Sequence, residues 1–303
     1  MAVAVDRVTV RVPATVANLG AGFDVLAAAV DVRAEVTLGP ADTPQVAVTG
    51  VAVPQDATNL MYRSAAAVGS ILGYRGAFAL HAHSPIPLRS GLGSSAAAIV
   101  GGAVAASRLL GDVLDADALL RIAAGLEGHP DNVAAALFGG VVVVAREGEV
   151  FRWARVIPAL PLSIVLAIPA LQIDTAAARQ VLPSQVSRED AVFNLGHTAL
   201  LVTALAQGQP ELLRQALRDR LHQPYRKHLV PGFERVVAAA VDASAYGAVL
   251  SGSGPTVAAL TQASAARAVG EAMRAAFEGA GVASQVIVTS IDGRGALEHP
   301  LER

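Results

Sequence analysis

Apolar and polar residues alternate over residues 7–12, and a period of two predicts a strand there. The same argument predicts a longer, interrupted strand over 25–38, a short one over 46–49 and another over 76–83. In the last of these, Phe78 and Leu80 fall on one face and His81 and His83 on the other. The period becomes helical over 59–72, with Gly73 as its stop. Residues 94–110 form a small-residue apolar helix stopped by Gly111. Helices are predicted over 116–126 and, after Pro130, over 132–138, followed by a buried strand at 141–145. Pro158 and Pro161 then punctuate the chain and mark a domain boundary.

The second half opens with a strand at 163–168. Helices are predicted over 174–181, 189–206, 211–221 and 233–241. The remainder reads as a strand at 247–250, a loop at 251–255, a strand at 257–260, a helix at 265–279 and a strand at 284–288. That order is the order of a small antiparallel sandwich of ferredoxin-like type. At 303 residues, with 53% hydrophobic and 16% charged, the chain has material for about two packed domains.

The net charge of −2 gives no global basic field to hold nucleic acid or an anionic membrane. The longest apolar runs, 96–106 and 133–145, fall short of the ~20 residues that span a bilayer. The first twelve residues alternate and carry Asp6 and Arg7, so no signal peptide is expected. Cysteine is absent, which removes disulfides, thiolate nucleophiles and Cys-ligated metals and fits a cytoplasmic setting. Of the 23 Lys and Arg residues, only Lys227 is a lysine. It sits in QPYRKHLVPG, where neither a Walker A loop nor the strand lysine of a protein kinase can be built around it.

Candidate chemistry centres on Pro85, Ile86, Pro87, Leu88, Arg89, Ser90, Gly91, Leu92, Gly93, Ser94 and Ser95, between a predicted strand and an alanine-rich helix. Gly91 and Gly93 permit close backbone approach. The free N–H groups and dipole of the following helix attract an anion. Ser94 and Ser95 can cap that helix or offer a hydroxyl to phosphate or Mg2+. As a whole, this string resembles the phosphate loop of the GHMP small-molecule kinases.

Further segments resemble the homoserine kinases of that superfamily. They are residues 13–24 (PATVANLGAGFD), residues 127–132 (EGHPDN) with the apolar run to Gly140, and residues 251–256 (SGSGPT). DTAAARQVLP at 174–183 and HQPYRKHLVPG at 222–232 are similar to the family's two arginine-bearing segments. The resemblance implies an α+β, two-domain GHMP kinase fold. Residues 1–157 would form an N-terminal ATP-binding domain of the ribosomal-protein-S5-domain-2-like type, and residues 158–303 a C-terminal ferredoxin-like α/β sandwich.

It also implies ATP as co-substrate, Mg2+, L-homoserine as acceptor, a step toward threonine, and a homodimer. Residue by residue, it implies that Arg179 and Arg226 grip the acceptor's carboxylate and that Asn18 and Asp131 receive its ammonium. His129 shapes the same pocket, Glu127 with Ser95 holds Mg2+, and Asn59 touches the nucleotide. Asp24 and Thr175 are the candidate catalytic residues. Asp24 lies where the family contacts the reacting hydroxyl, either orienting it or accepting its proton. Thr175 precedes Arg179 by one helical turn and can share its face. Two other readings remain: a GHMP kinase for another alcohol such as mevalonate, and a catalytically silent nucleotide-binding protein on the same fold.

Overall fold

The computed structural model describes residues 3–298. The first half contains β1 (Val8–Ala17), β2 (Leu26–Ala41), β3 (Gln45–Thr49), α1 (Leu60–Ile71), β4 (Ala77–His83), α2 (Ser94–Leu109), α3 (Ala116–Glu127), α4 (Asp131–Phe138), β5 (Val141–Glu147) and β6 (Val150–Val156). Then follow β7 (Ser163–Pro169), α5 (Thr175–Gln180), α6 (Arg188–Gln207), α7 (Pro210–Ala216), α8 (Gln223–Arg226) and α9 (Phe233–Asp242). The chain continues with β8 (Gly247–Leu250), β9 (Val257–Thr261), α10 (Ala266–Glu278), β10 (Ser284–Ser290) and α11 (Gly295–Glu298).

The strands make two sheets. One has the order β3-β4-β2-β5-β6 with β1 also paired to β2. The other has the order β10-β7-β9-β8, antiparallel throughout. That second order, from β-α-β-β-α-β connectivity, is the ferredoxin-like arrangement the sequence predicts. The mixed helix and sheet content and the two-sheet architecture accord with the expected α+β class.

The main core is continuous across both sheets and includes Val12, Val36, Ile99, Leu166 and Leu260. α2 runs through it, buried without interruption from Ala96 to Ser107. Its small residues are what admit it. A Cβ at Gly102 would collide with the Met61 carbonyl, and one at Gly101 would lie 2.7 Å from a Val36 methyl. A second core, with Val236, Met273 and Phe277, fills the space between the second sheet and α9 and α10. No helix among the described residues is long and apolar enough to cross a membrane.

The structure corrects the sequence expectations at three elements. β1 continues past residue 12 to Ala17, because a register shift between Pro13 and Ala14 absorbs the proline. β6 was not predicted at all. Its residues carry apolar and charged side chains on both faces, and most are exposed on an edge strand. The helix predicted over 211–221 ends at Ala216. Beyond it, the Asp219 carboxylate accepts from the amides of Leu221 (2.9 Å), His222 (3.0 Å) and Gln223 (2.6 Å), which stops one helix and starts α8.

Candidate active site

The loop after β4 runs straight into α2, with Gly93 as the N-cap at φ 65°. Only glycine fits there, since a Cβ would collide with Thr15 Oγ1 and lie 3.0 Å from Asn132 Oδ1. Those two groups are themselves bonded, Thr15 Oγ1 donating to Asn132 Oδ1 at 2.5 Å. The loop is pinned by its carbonyls. Arg89 O accepts from Ile173 N at 3.2 Å, Ser90 O from Thr256 N at 3.1 Å, Gly91 O from Ser251 Oγ at 2.6 Å and Leu92 O from Thr15 N at 3.1 Å. The first amides of α2 have no intrahelical acceptor, and Ser94 and Ser95 line the adjoining cavity. Neither serine caps the helix as the sequence suggested, because the N-cap is a glycine. Instead, Ser95 Oγ donates to Glu127 Oε1 at 2.6 Å.

Glu127 ends α3, with its side chain only 8% exposed. Burial pushes its pKa up, against the opposing pull of the Ser95 hydrogen bond and the His129 charge. His129 Nδ1 lies 2.8 Å from Asp131 Oδ1, and its Nε2 lies 3.8 Å from Glu127 Oε1. Burial opposes its protonation. The Asp131 hydrogen bond and the charges of Asp131 and Glu127 outweigh that, so the net direction is upward.

The opposite end of the cavity is built from side chains far apart in sequence. Asp24 and Arg179 form a two-pronged pair, Nη1 to Oδ2 and Nη2 to Oδ1, both 2.9 Å. Asn18, Leu19 and Asp24 all have positive φ, at 70°, 45° and 58°. The strained turn is held by Asn18, whose Oδ1 accepts from Asp24 N at 3.1 Å and whose Nδ2 donates to Gly252 O at 3.0 Å. Arg226 is 2% exposed. Its Nε donates to Ala178 O at 3.0 Å and its Nη1 to Gly252 O at 3.1 Å. Burial, then the Arg179 charge, lowers its pKa to about 10, which still leaves it a cation at neutral pH.

One cavity of about 390 Å3 connects these two ends. Among the residues singled out from sequence, it is lined by Asn18, Asp24, Arg89, Gly91, Gly93, Ser94, Ser95, Glu127, His129, Asp131, Thr175, Arg179 and Arg226. Leu88 and Asn59 lie instead on a neighbouring cavity of about 270 Å3, which shares Arg89, Ser94 and Ser95 with the first. Asn59 is buried there as the N-cap of α1. Its amide is taken up by Met61 N (2.9 Å) and Pro54 O (2.8 Å), so it shapes the wall. Pro85, Ile86, Pro87, Ser90 and Leu92 line neither cavity. Ile86 and Leu92 anchor the loop in the core, and the Ser90 hydroxyl bonds Pro87 O at 2.8 Å.

Sequence reasoning missed several lining residues. Asp174 caps α5, accepting from Ala176 N at 2.9 Å, and its position before Thr175 was a legible cap signal. Asn132 lines the cavity and lies inside a quoted motif but carries no chemistry that singles it out; Thr15, which bonds it, sits behind the wall. The apolar wall of the second cavity, formed by Val51, Val53, Leu60 and Met61, reads in sequence as ordinary core.

Comparison with known proteins adds an independent line. The GHMP kinases N terminal domain family matches residues 59–140, and the GHMP kinases C terminal family matches residues 201–279. The chain is 43% identical over 295 residues to homoserine kinase of Desulfitobacterium hafniense, covering 95% of this chain and 99% of that protein. It is 43% identical over 296 residues to homoserine kinase of Carboxydothermus hydrogenoformans, covering 96% of each. The crystal structure of homoserine kinase from Cytophaga hutchinsonii superposes with a TM-score of 0.88 at 35% identity, over 97% of this chain and 98% of that one.

Proposed function

Since the chain belongs to the homoserine kinase family of the GHMP kinases, we propose that it transfers the γ-phosphoryl group of ATP to the side-chain hydroxyl of L-homoserine, giving ADP and O-phospho-L-homoserine, a step toward threonine. The observation that carries this reading is the single cavity with an anion cradle at Gly91–Ser95 and the Asp24, Arg179 and Arg226 cluster facing it.

The acceptor is an amino acid with a terminal hydroxyl, and the far end of the cavity offers a group for each part. Arg226 lines the cavity with two of its donors already fixed by Ala178 O and Gly252 O, so its guanidinium is held rigid for a carboxylate. Arg179 is the second cation. Asp131 and Asn18, which line the same cavity, supply the acceptor side for an ammonium. Asp24 accepts the hydrogen bond of the reacting hydroxyl. Its two-pronged pairing with Arg179 suits it to orient that oxygen more than to take up a proton. Phosphoryl transfer through a loose transition state asks chiefly for such positioning and for charge stabilisation. The hydroxyl oxygen bonds to the γ-phosphorus, the bridging β–γ bond breaks toward ADP, and the proton passes to a phosphoryl oxygen or water.

On the nucleotide side, the amides of Ser94 and Ser95 and the guanidinium of Arg89 face the phosphates, and the apolar wall beside them receives the base. Ser95 and Glu127 fit Mg2+. They present hard oxygens 2.6 Å apart, and Glu127 is a carboxylate whose burial disfavours its charge until a cation offsets it. When bound there, the ion would neutralise phosphate charge. The change of sheet between β6 and β7 supports dividing the chain at residues 1–157 and 158–303. Family membership supports a cytoplasmic homodimer.

The test is ADP release with L-homoserine set against mevalonate, L-serine and L-threonine. Turnover on L-homoserine far above the others is expected. Turnover on mevalonate alone would reassign the chain to another GHMP kinase, and ATP binding without turnover on any alcohol would make it a silent nucleotide binder.

A further inference from the structure

Phe23 immediately precedes Asp24, and its ring touches both of the arginines at the acceptor end. The Arg226 Cζ lies 5.1 Å from the ring centroid and the Arg179 Cζ 5.8 Å from it. His222 stacks on the same ring, with centroids 5.3 Å apart and planes inclined by 23°. His222 is fully buried and stands at the start of α8, where its carbonyl accepts the amide of Arg226 at 3.0 Å. Its Nε2 lies 2.9 Å from Gly20 O. A carbonyl only accepts, so Nε2 carries the proton. The other nitrogen, Nδ1, is buried without a partner, as the bare lone pair of a neutral ring would be. The imidazole therefore ties the 18–24 turn to the helix that carries Arg226, without adding a charge.

We propose that Phe23, braced by His222, is a specificity-determining residue that holds Arg179 and Arg226 at the spacing needed to receive a carboxylate. This rests on the kinase reading above and deepens it. Two guanidiniums facing one cavity repel each other. Asp24 already accepts from both terminal nitrogens of Arg179, and two main-chain carbonyls accept from Nε and Nη1 of Arg226, so a further carboxylate between the two cations would occupy the N–H donors that remain for substrate. The negative face of a phenyl ring stabilises both cations and takes none of those remaining donors. Phe23 bonds no substrate atom in this scheme, so it is a positioning residue, and its loss should fall on one part of the substrate only.

The experiment uses the full chain with Phe23→Leu and Phe23→Tyr. It compares L-homoserine with 3-aminopropan-1-ol, the same amino alcohol without its carboxylate, as a competing ligand. In Phe23→Leu the KM for L-homoserine should rise ~10-fold. The KM for ATP and the inhibition constant of 3-aminopropan-1-ol should stay within about twofold. Phe23→Tyr, which keeps the ring face, should restore the wild-type KM. Equal losses for L-homoserine and 3-aminopropan-1-ol, or an equal rise in the KM for ATP, would reduce Phe23 to ordinary packing and overturn the proposal. If Phe23→Leu does not fold, Phe23→Met is read by the same criteria. Absence of turnover by the wild-type chain on L-homoserine would strike the kinase reading itself, and the two failures are thus separable.

Discussion

The two ends of the cavity are made by different means. The end proposed for phosphate is one continuous stretch of chain, Arg89 to Ser95, and offers largely backbone amides that any sequence with glycine at the right places could present. The end proposed for the acceptor is assembled from the turn after β1, the start of α4, α5, α8 and the 251–256 loop, and offers charged side chains. Gly252 O illustrates the difference, accepting from both Asn18 and Arg226, which are 208 positions apart in the chain by their residue numbers. A backbone site is intolerant of one added carbon. A side-chain site is intolerant of lost charge, and each residue can be altered with a separable effect.

The largest expected effect therefore falls on the backbone end. Gly93→Ala forces alanine into φ 65° and drives its Cβ into Thr15. It should lower kcat/KM by more than ~100-fold and destabilise the fold by about 2–4 kcal/mol, measured by ADP release and denaturant unfolding. Retention of near-normal activity would remove the contrast altogether.

Glu127→Gln should come next, with kcat/KM reduced ~100-fold and a weakened response in a Mg2+ titration. Because burial disfavours the Glu127 charge, the variant should be at least as stable as wild type at pH 8 by thermal denaturation. A normal Mg2+ titration would take Glu127 out of the metal's reach.

At the acceptor end, Arg226→Ala should raise the KM for L-homoserine ~10–100-fold while the KM for ATP holds. Its Tm should also fall, since Arg226 braces Ala178 O and Gly252 O. An unchanged KM in steady-state assays would separate it from the pocket.

The smallest effect concerns His129, whose pKa is raised in the folded protein. The folded chain then holds that proton more tightly than the unfolded one. The stability this gives is fully present below the ordinary value of 6.5 and is lost as pH rises through the folded value. His129→Gln should thus cost more Tm at pH 6 than at pH 8.5, by about 1–3 °C. A pH-independent difference would show that the Asp131 contact does not stabilise the protonated ring.

How much was legible follows the same division. The apolar run at 163–168 and the small-residue run at 94–110 named β7 and α2, because an element buried on all sides must stay apolar along its length. β6 escaped because it lies at a sheet edge, where packing asks for no alternation. The helix predicted through 221 broke early because Asp219 offered the backbone three competing hydrogen bonds, and its spacing did not reveal that. Within the site, Arg179 and Arg226 could be picked out only by resemblance. A charged residue on a helix face looks the same whether it meets solvent or a cavity.

By itself, the sequence determined the glycine loop that leads into α2, most of the buried elements and the ferredoxin-like second half. These are local: glycine freedom, helix termini and side-chain period act within a few residues. Only the tertiary structure decided that Arg179 would close on Asp24, that Phe23 would lie beneath two guanidiniums, and that Asn59 would both cap α1 and line a cavity beside the glycine loop. Those outcomes depend on which distant surfaces share a core, and burial and charge are properties of the assembled fold, absent from any single segment.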